Sequence, residues 1–105
     1  MSTEAEYVAA LLTLYADLPD TPLRPSPADQ ALARKLFAEA VPLSLIESAL
    51  LLGTLRRFSR PSGLPPLPKI RSLAYFLPVI DELKLQPLPE GYLDYLRLKL
   101  HRLSA

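Results

Sequence analysis

Residues 44–58 read Ser-Leu-Ile-Glu-Ser-Ala-Leu-Leu-Leu-Gly-Thr-Leu-Arg-Arg-Phe. Ile46, Ala49, Leu50, Leu51, Leu52 and Leu55 leave almost no polar stripe on a helical period. Such a helix is central, covered on several sides by other elements. Ser44 and Glu47 have the spacing of a capping box, which predicts a helix from about Leu45 to Phe58. Gly53 has no side chain and lets a neighbouring helix approach closely. A central helix needs partners, and the flanking sequence supplies them.

Two helices are predicted before it. Thr3 and Glu6 form a second capping-box pattern, and Val8, Leu11, Leu12, Tyr15 and Leu18 fall on one helical face. This first helix runs from about Glu4 to Asp17. Pro19, Pro22 and Pro25 then forbid regular helix. Ser26 followed by Pro27 restarts it, because serine caps and proline at the first helical position loses no useful hydrogen bond. Asp29 favours that N-terminus. Leu32, Leu36, Phe37 and Ala40 form the apolar stripe of the second helix, and Pro42 ends it.

Residues 59–69 are proline-rich and extended, with Leu64 and Leu67 expected to pin the path to the core. Residues 70–85 are helical, but Pro78 lies inside them. Proline removes a backbone bond and clashes with the preceding turn, which predicts a kink or two short helices with Pro78 opening the second. Pro87 and Pro89 precede a last helix, about Glu90 to Leu103, whose Leu93, Leu96, Leu100 and Leu103 make an apolar seam. The fold class is therefore all-α: a compact bundle of about five helices with proline-rich connections, in a single domain over residues 1–105.

Composition agrees. Of 105 residues, 25 are leucine and 12 proline, whereas Val, Ile and Thr are scarce. Long unbranched or γ-branched side chains keep their rotamer freedom in helices, and β-branched ones favour strands. There is no cysteine, which excludes disulfides and thiolate metal sites. Glu4 and Glu6 stand where a signal peptide needs basic residues. The longest apolar run, Leu43 to Leu55, contains Glu47 and falls short of the roughly 20 residues of a membrane span. The expectation is a cytoplasmic protein without membrane association.

Nothing in the pattern points to catalysis. His101 is the lone histidine and sits in the last turn of a helix, where a cation suits the helix dipole. Asp81 and Glu82 are adjacent, so they point about 100° apart and share an ion poorly. Gly53, Gly63 and Gly91 are scattered and build no phosphate loop. The expectation is a non-enzyme with no cofactor and no metal. The second and third helices have the proportions of a helix-turn-helix, with Val41 and Ile46 at its buried turn. Yet the would-be reading helix offers Ser44, Glu47, Ser48 and Thr54 where base edges call for Arg, Lys, Asn or Gln. Two packed core helices explain it better.

The charges are uneven. Residues 1–50 carry seven acids and three bases, and residues 51–105 carry four acids and nine bases. Arg56, Arg57 and Arg60 end the central helix, where cations suit the dipole. Lys69 and Arg71 open the next segment, where the dipole does not call for them. If the proline-rich connection folds back, these five border one patch. In the last helix Tyr92, Tyr95, Lys99 and Arg102 share a face, with Arg97 nearby. Aromatic rings interleaved with cations suit single-stranded nucleic acid. Two readings follow. One is a non-catalytic module that associates with DNA or RNA through the five residues of the patch and the four that share the α-helical face, Arg97 not among them. The other is a protein-interaction module, either a homodimer or an adaptor to a larger machine, whose acidic half meets the basic half of a neighbour.

One resemblance bears on the choice. The residues that carry it are Tyr7 to Pro22; Ala33-Arg34-Lys35-Leu36-Phe37 before Val41-Pro42-Leu43; Ile70-Arg71-Ser72-Leu73; Tyr75-Phe76-Leu77-Pro78-Val79-Ile80; and Gly91-Tyr92-Leu93-Asp94-Tyr95-Leu96. Together the chain resembles small helical bacterial proteins associated with mobile elements and plasmid replication. The resemblance implies a DNA-processing neighbourhood and no particular reaction.

Overall fold

The computed structural model describes residues 3–104. Helix α1 spans Glu4–Ala16, α2 Pro27–Ala38, α3 Leu43–Phe58, α4 Leu77–Leu85 and α5 Tyr92–Ser104, with one 3-10 turn at Leu73–Phe76. Among the described residues there is no strand, and no helix is long and apolar enough to cross a membrane. The molecule is an all-α bundle measuring 44 × 32 × 25 Å.

The caps explain the helix starts. The Thr3 hydroxyl accepts from the Glu6 N–H at 3.1 Å and donates to the Glu6 carboxylate at 3.1 Å. At α2 the box is complete: Ser26 Oγ accepts from the Asp29 N–H, and Asp29 Oδ2 accepts from the Ser26 N–H. Pro27 takes the first helical position. The end of α2 is equally well defined. Ala40 has φ 57°, its N–H donates to Phe37 O at 2.9 Å, and the Val41 N–H donates to Leu36 O at 3.1 Å. This is a Schellman motif with alanine where glycine is usual. Ala40 is thus an exposed cap outside the apolar stripe to which its spacing assigns it, and Pro42 begins α3 and does not stop α2.

The capping box expected at Ser44 and Glu47 does not form. The N-cap of α3 is Pro42, with no side-chain bond, and Ser44 lies within the helix. The hydroxyls of Ser48 and Thr54 bond back to the carbonyls of Ser44 and Leu50, which is how a helix buries them without orphaned groups.

Helix α3 is the hub: α1, α4, α5 and the 3-10 turn all pack against it, and α2 packs on α1 and the turn. One continuous core includes Leu11, Tyr15, Leu36, Ile46, Leu50, Leu73, Phe76, Ile80 and Leu96. Each fully buried side chain of this size stabilises the fold by roughly 1.5–3 kcal/mol relative to exposure. A Cβ on Gly53 would lie 2.9 Å from Phe76 Cδ1 and 3.6 Å from Val79 Cγ2. The close approach read from the sequence is therefore made by the Phe76 ring of the 3-10 turn, with α4 behind it.

The segment around Pro78 resolves as two pieces. The 3-10 turn ends at Phe76, and α4 opens with Pro78 in its first turn. The proline-rich connection behaves differently from expectation. Leu64 and Leu67 are exposed and pin nothing. Ile70 is the anchor: its side chain is buried and its N–H donates to Asp20 O at 2.8 Å. Three residues on, the Leu73 N–H donates to Asp29 Oδ1 at 2.9 Å. Asp29 is only 2 % exposed, so one carboxylate both caps α2 and holds a segment 44 residues away.

Candidate nucleic-acid interface

The basic residues sort into two groups. The first is tied inward. Arg56 makes a bidentate pair with Glu82 of α4, at 2.7 and 2.8 Å. Those bonds raise the Arg56 pKa and hold the Glu82 carboxyl below its usual range. Arg57, whose side chain is 10 % exposed, donates to Pro68 O at 2.9 Å and to the Tyr75 hydroxyl at 3.3 Å, and lies 3.5 Å from Asp20. Its guanidinium also sits 5.4 Å from the centre of the Tyr75 ring. Arg60 donates to Pro65 O at 2.8 Å. The proline-rich connection does fold back over the end of α3. It does so because prolines cannot donate but their carbonyls accept, and arginine's fork supplies the donors.

The second group is turned outward. Ile70 is buried between exposed Lys69 and Arg71, and residues two apart on extended backbone share a side, so both cations face solvent together. On α5, the rings of Tyr92 and Tyr95 stand 5.2 Å apart at 51°. Lys99 Nζ lies 5.8 Å from the centre of the Tyr95 ring. Arg102 is exposed one turn beyond. Among the described residues Lys69, Arg71, Lys99 and Arg102 pair with no carboxylate. Arg97 differs: it clamps Glu47 of α3 at 2.7 and 2.8 Å and reaches Asp94 at 3.1 Å, and the bond to Glu47 leads the upward shift of its pKa.

The leucine seam of α5 is only partly core. Leu96 is buried, Leu93 and Leu100 are half-buried, and Leu103 is about half exposed, as is Leu98 on the outer side. Sequence reasoning passed over Arg24, an exposed arginine in the loop between α1 and α2, flanked by Asp20 of that loop and Asp29 of α2, which hold Ile70 and Leu73. Its position between Pro22 and Pro25, off any helical period, is the signal that would have found it.

Among the described residues no three His, Cys, Asp or Glu side chains gather as a metal site. A cleft of about 260 Å³ lies under the proline-rich connection beside Asp20, Thr54, Arg57 and Phe58. Its two cations, Arg57 and Arg60, are both held by the contacts above. Comparison of the chain with family models, with curated proteins and with solved structures yields no match.

Proposed function

We propose that the protein is a non-catalytic, nucleic-acid-associated module that holds single-stranded DNA or RNA along the outer flank of α5. The observation that carries this reading is the exposed ring of Tyr95, stacked beside the half-buried Tyr92 and bordered by Lys99 and Arg102, two cations without an acidic partner among the described residues. Bases stack on such rings while phosphates meet the cations. Lys69 and Arg71 form a second contact for the phosphate backbone. Arg57 and Arg60 act indirectly, by fixing the connection that presents Lys69 and Arg71, while Arg56 ties α3 to α4 through Glu82. The resemblance to proteins of mobile elements and plasmid replication supports DNA-processing surroundings in a bacterial cytoplasm. A second reading, protein–protein interaction without nucleic acid, is favoured by the half-exposed Leu98 and Leu103 on the same helix.

The test is fluorescence anisotropy with labelled single- and double-stranded oligonucleotides over a salt series. Binding to the single strand is expected to weaken log-linearly with salt, with a slope about 0.7 smaller for each phosphate contact removed by Lys99→Ala or Arg102→Ala. Tyr95→Ala is expected to lose about 1–3 kcal/mol per stacked base. No binding at low salt, where attraction between charges is strongest, rejects the proposal and leaves the second reading.

A further inference from the structure

The middle of the proline-rich connection is stiffer than a linker needs to be. Proline fixes φ near about −65°, and a residue that precedes proline is held extended. In Leu64-Pro65-Pro66-Leu67-Pro68 three residues are prolines, and Leu64, Pro65 and Leu67 each precede one. These five residues are thereby driven onto a polyproline path, with three residues to the turn. Residues 65–69 accordingly form no turn, helix or strand. The period of three shows in the hydrogen bonds. The carbonyls of Pro65 and Pro68, three apart, turn to one side and accept from Arg60 and Arg57 at 2.8 and 2.9 Å. Leu64 and Leu67, also three apart, share a ridge and stay 52 % and 38 % exposed. Among the described residues the carbonyls of Pro66 and Leu67 accept no hydrogen bond.

We propose that residues 64–68 are a preformed polyproline ligand for a second protein that carries a groove of aromatic rings, as WW and SH3 domains do. Such grooves pack the ridges of a polyproline strand between their rings, while ring N–H and O–H groups reach its carbonyls. Here the ridges are Leu64 with Leu67 and Pro65 with Pro68, and the open carbonyls are those of Pro66 and Leu67. Two observations favour that occupant. The backbone is already fixed by the chain's own arginines, so docking loses little conformational entropy. A connection that only bridged α3 to Ile70 would also have no use for two leucines held in solvent, where they add nothing to the core. Lys69 follows the ligand, exposed and paired with no carboxylate among the described residues, and it calls for an acidic residue at the rim of the groove. The ligand uses no residue of α5 and does not rest on the nucleic-acid reading.

The experiment titrates a WW domain and, separately, an SH3 domain, each with tryptophan in its groove, with the full chain. The chain has no tryptophan, so indole emission reports on the groove of the probe alone. A saturable change in emission is expected with at least one of the two. Pro65→Ala/Pro68→Ala together are expected to weaken binding more than about tenfold, because both fixed φ angles and one ridge are lost. Arg60→Ala leaves every ligand residue in place but frees the Pro65 carbonyl, and is expected to weaken binding several-fold. Circular dichroism checks that each variant is folded, and both prolines are exposed. No change in emission with either domain overturns the inference. So does binding that survives the proline substitutions and collapses with salt, which would make the charge of Lys69 the contact. Binding unaltered in Arg60→Ala overturns the claim that the ligand is preformed.

Discussion

At the scale of single residues, Asp29 and Tyr15 carry the sharpest consequences. Asp29 accepts from Ser26 and Leu73 at once, both at about 3 Å. Asp29→Ala leaves the buried Leu73 N–H unpaired and removes the reciprocal half of the capping box, while Ser26 Oγ still caps α2. The expected loss is about 2–4 kcal/mol, summing the orphaned Leu73 donor and the lost bond to the Ser26 N–H, read from urea unfolding. Tyr15 is the converse case. Its hydroxyl is fully buried and makes no hydrogen bond among the described residues. Burial, reinforced by the nearby Asp29 charge, pushes its pKa up to about 12, and burial also raises that of Tyr7. In the unfolded chain both phenols return to about 10. The folded state therefore keeps protons that the unfolded state releases. The stability that Tyr15 holds is intact below pH 10 and is lost as pH climbs from there toward 12, and Tyr7 contributes a loss in the same direction. An absorbance titration of tyrosinate is expected to show a late-ionising class among the five tyrosines, diminished in Tyr15→Phe.

At the scale of elements, the helices were readable because their signals are local. Ser26-Pro27 opens α2 where expected, and Pro78 divides its segment as a proline must. The start of α3 was misjudged for a physical reason. Glu47 is drawn to Arg97, fifty residues away, and no local pattern shows such a partner. The basic site has the same history. The charges were visible, but Arg57 and Arg60 are held by backbone carbonyls, which leave no trace in the residue types. On α5 the spacing places Tyr95, Lys99 and Arg102 on the exposed side because they share one helix, whereas Tyr92, one turn earlier, is half-buried against the core. Two predictions belong at this scale. Gly53→Ala gains up to about 1 kcal/mol of helix propensity but drives a Cβ into the fully buried Phe76 ring. Overpacking of that kind costs about 1–3 kcal/mol, so the net expected change is a loss, seen as a lower melting temperature. Ala40→Gly relieves a left-handed alanine at a complete Schellman motif and is expected to raise stability by about 0.5–1 kcal/mol in the same assay.

At the scale of the whole molecule, stability is unevenly distributed. Helix α3 is surrounded, whereas α5 packs mainly on α3 with Leu96 as its one deeply buried residue in the core. The amides of α5 are expected to exchange with deuterium faster than those of α3, and faster again in Arg97→Ala, whose exposed pair contributes under about 1 kcal/mol. The connection over residues 61–69 is exposed throughout, and around Gly63, at φ +93°, no described atom beyond its chain neighbours lies within 4 Å of where a Cβ would stand. The halves it joins hold each other by other means: Ile70 on Asp20, Leu73 on Asp29, Glu82 on Arg56 and Arg97 on Glu47. Covalent continuity there is thus dispensable to the architecture. A backbone cut at Gly63 is expected to leave two peptides, each incomplete without the other, that regain helical circular dichroism only when mixed.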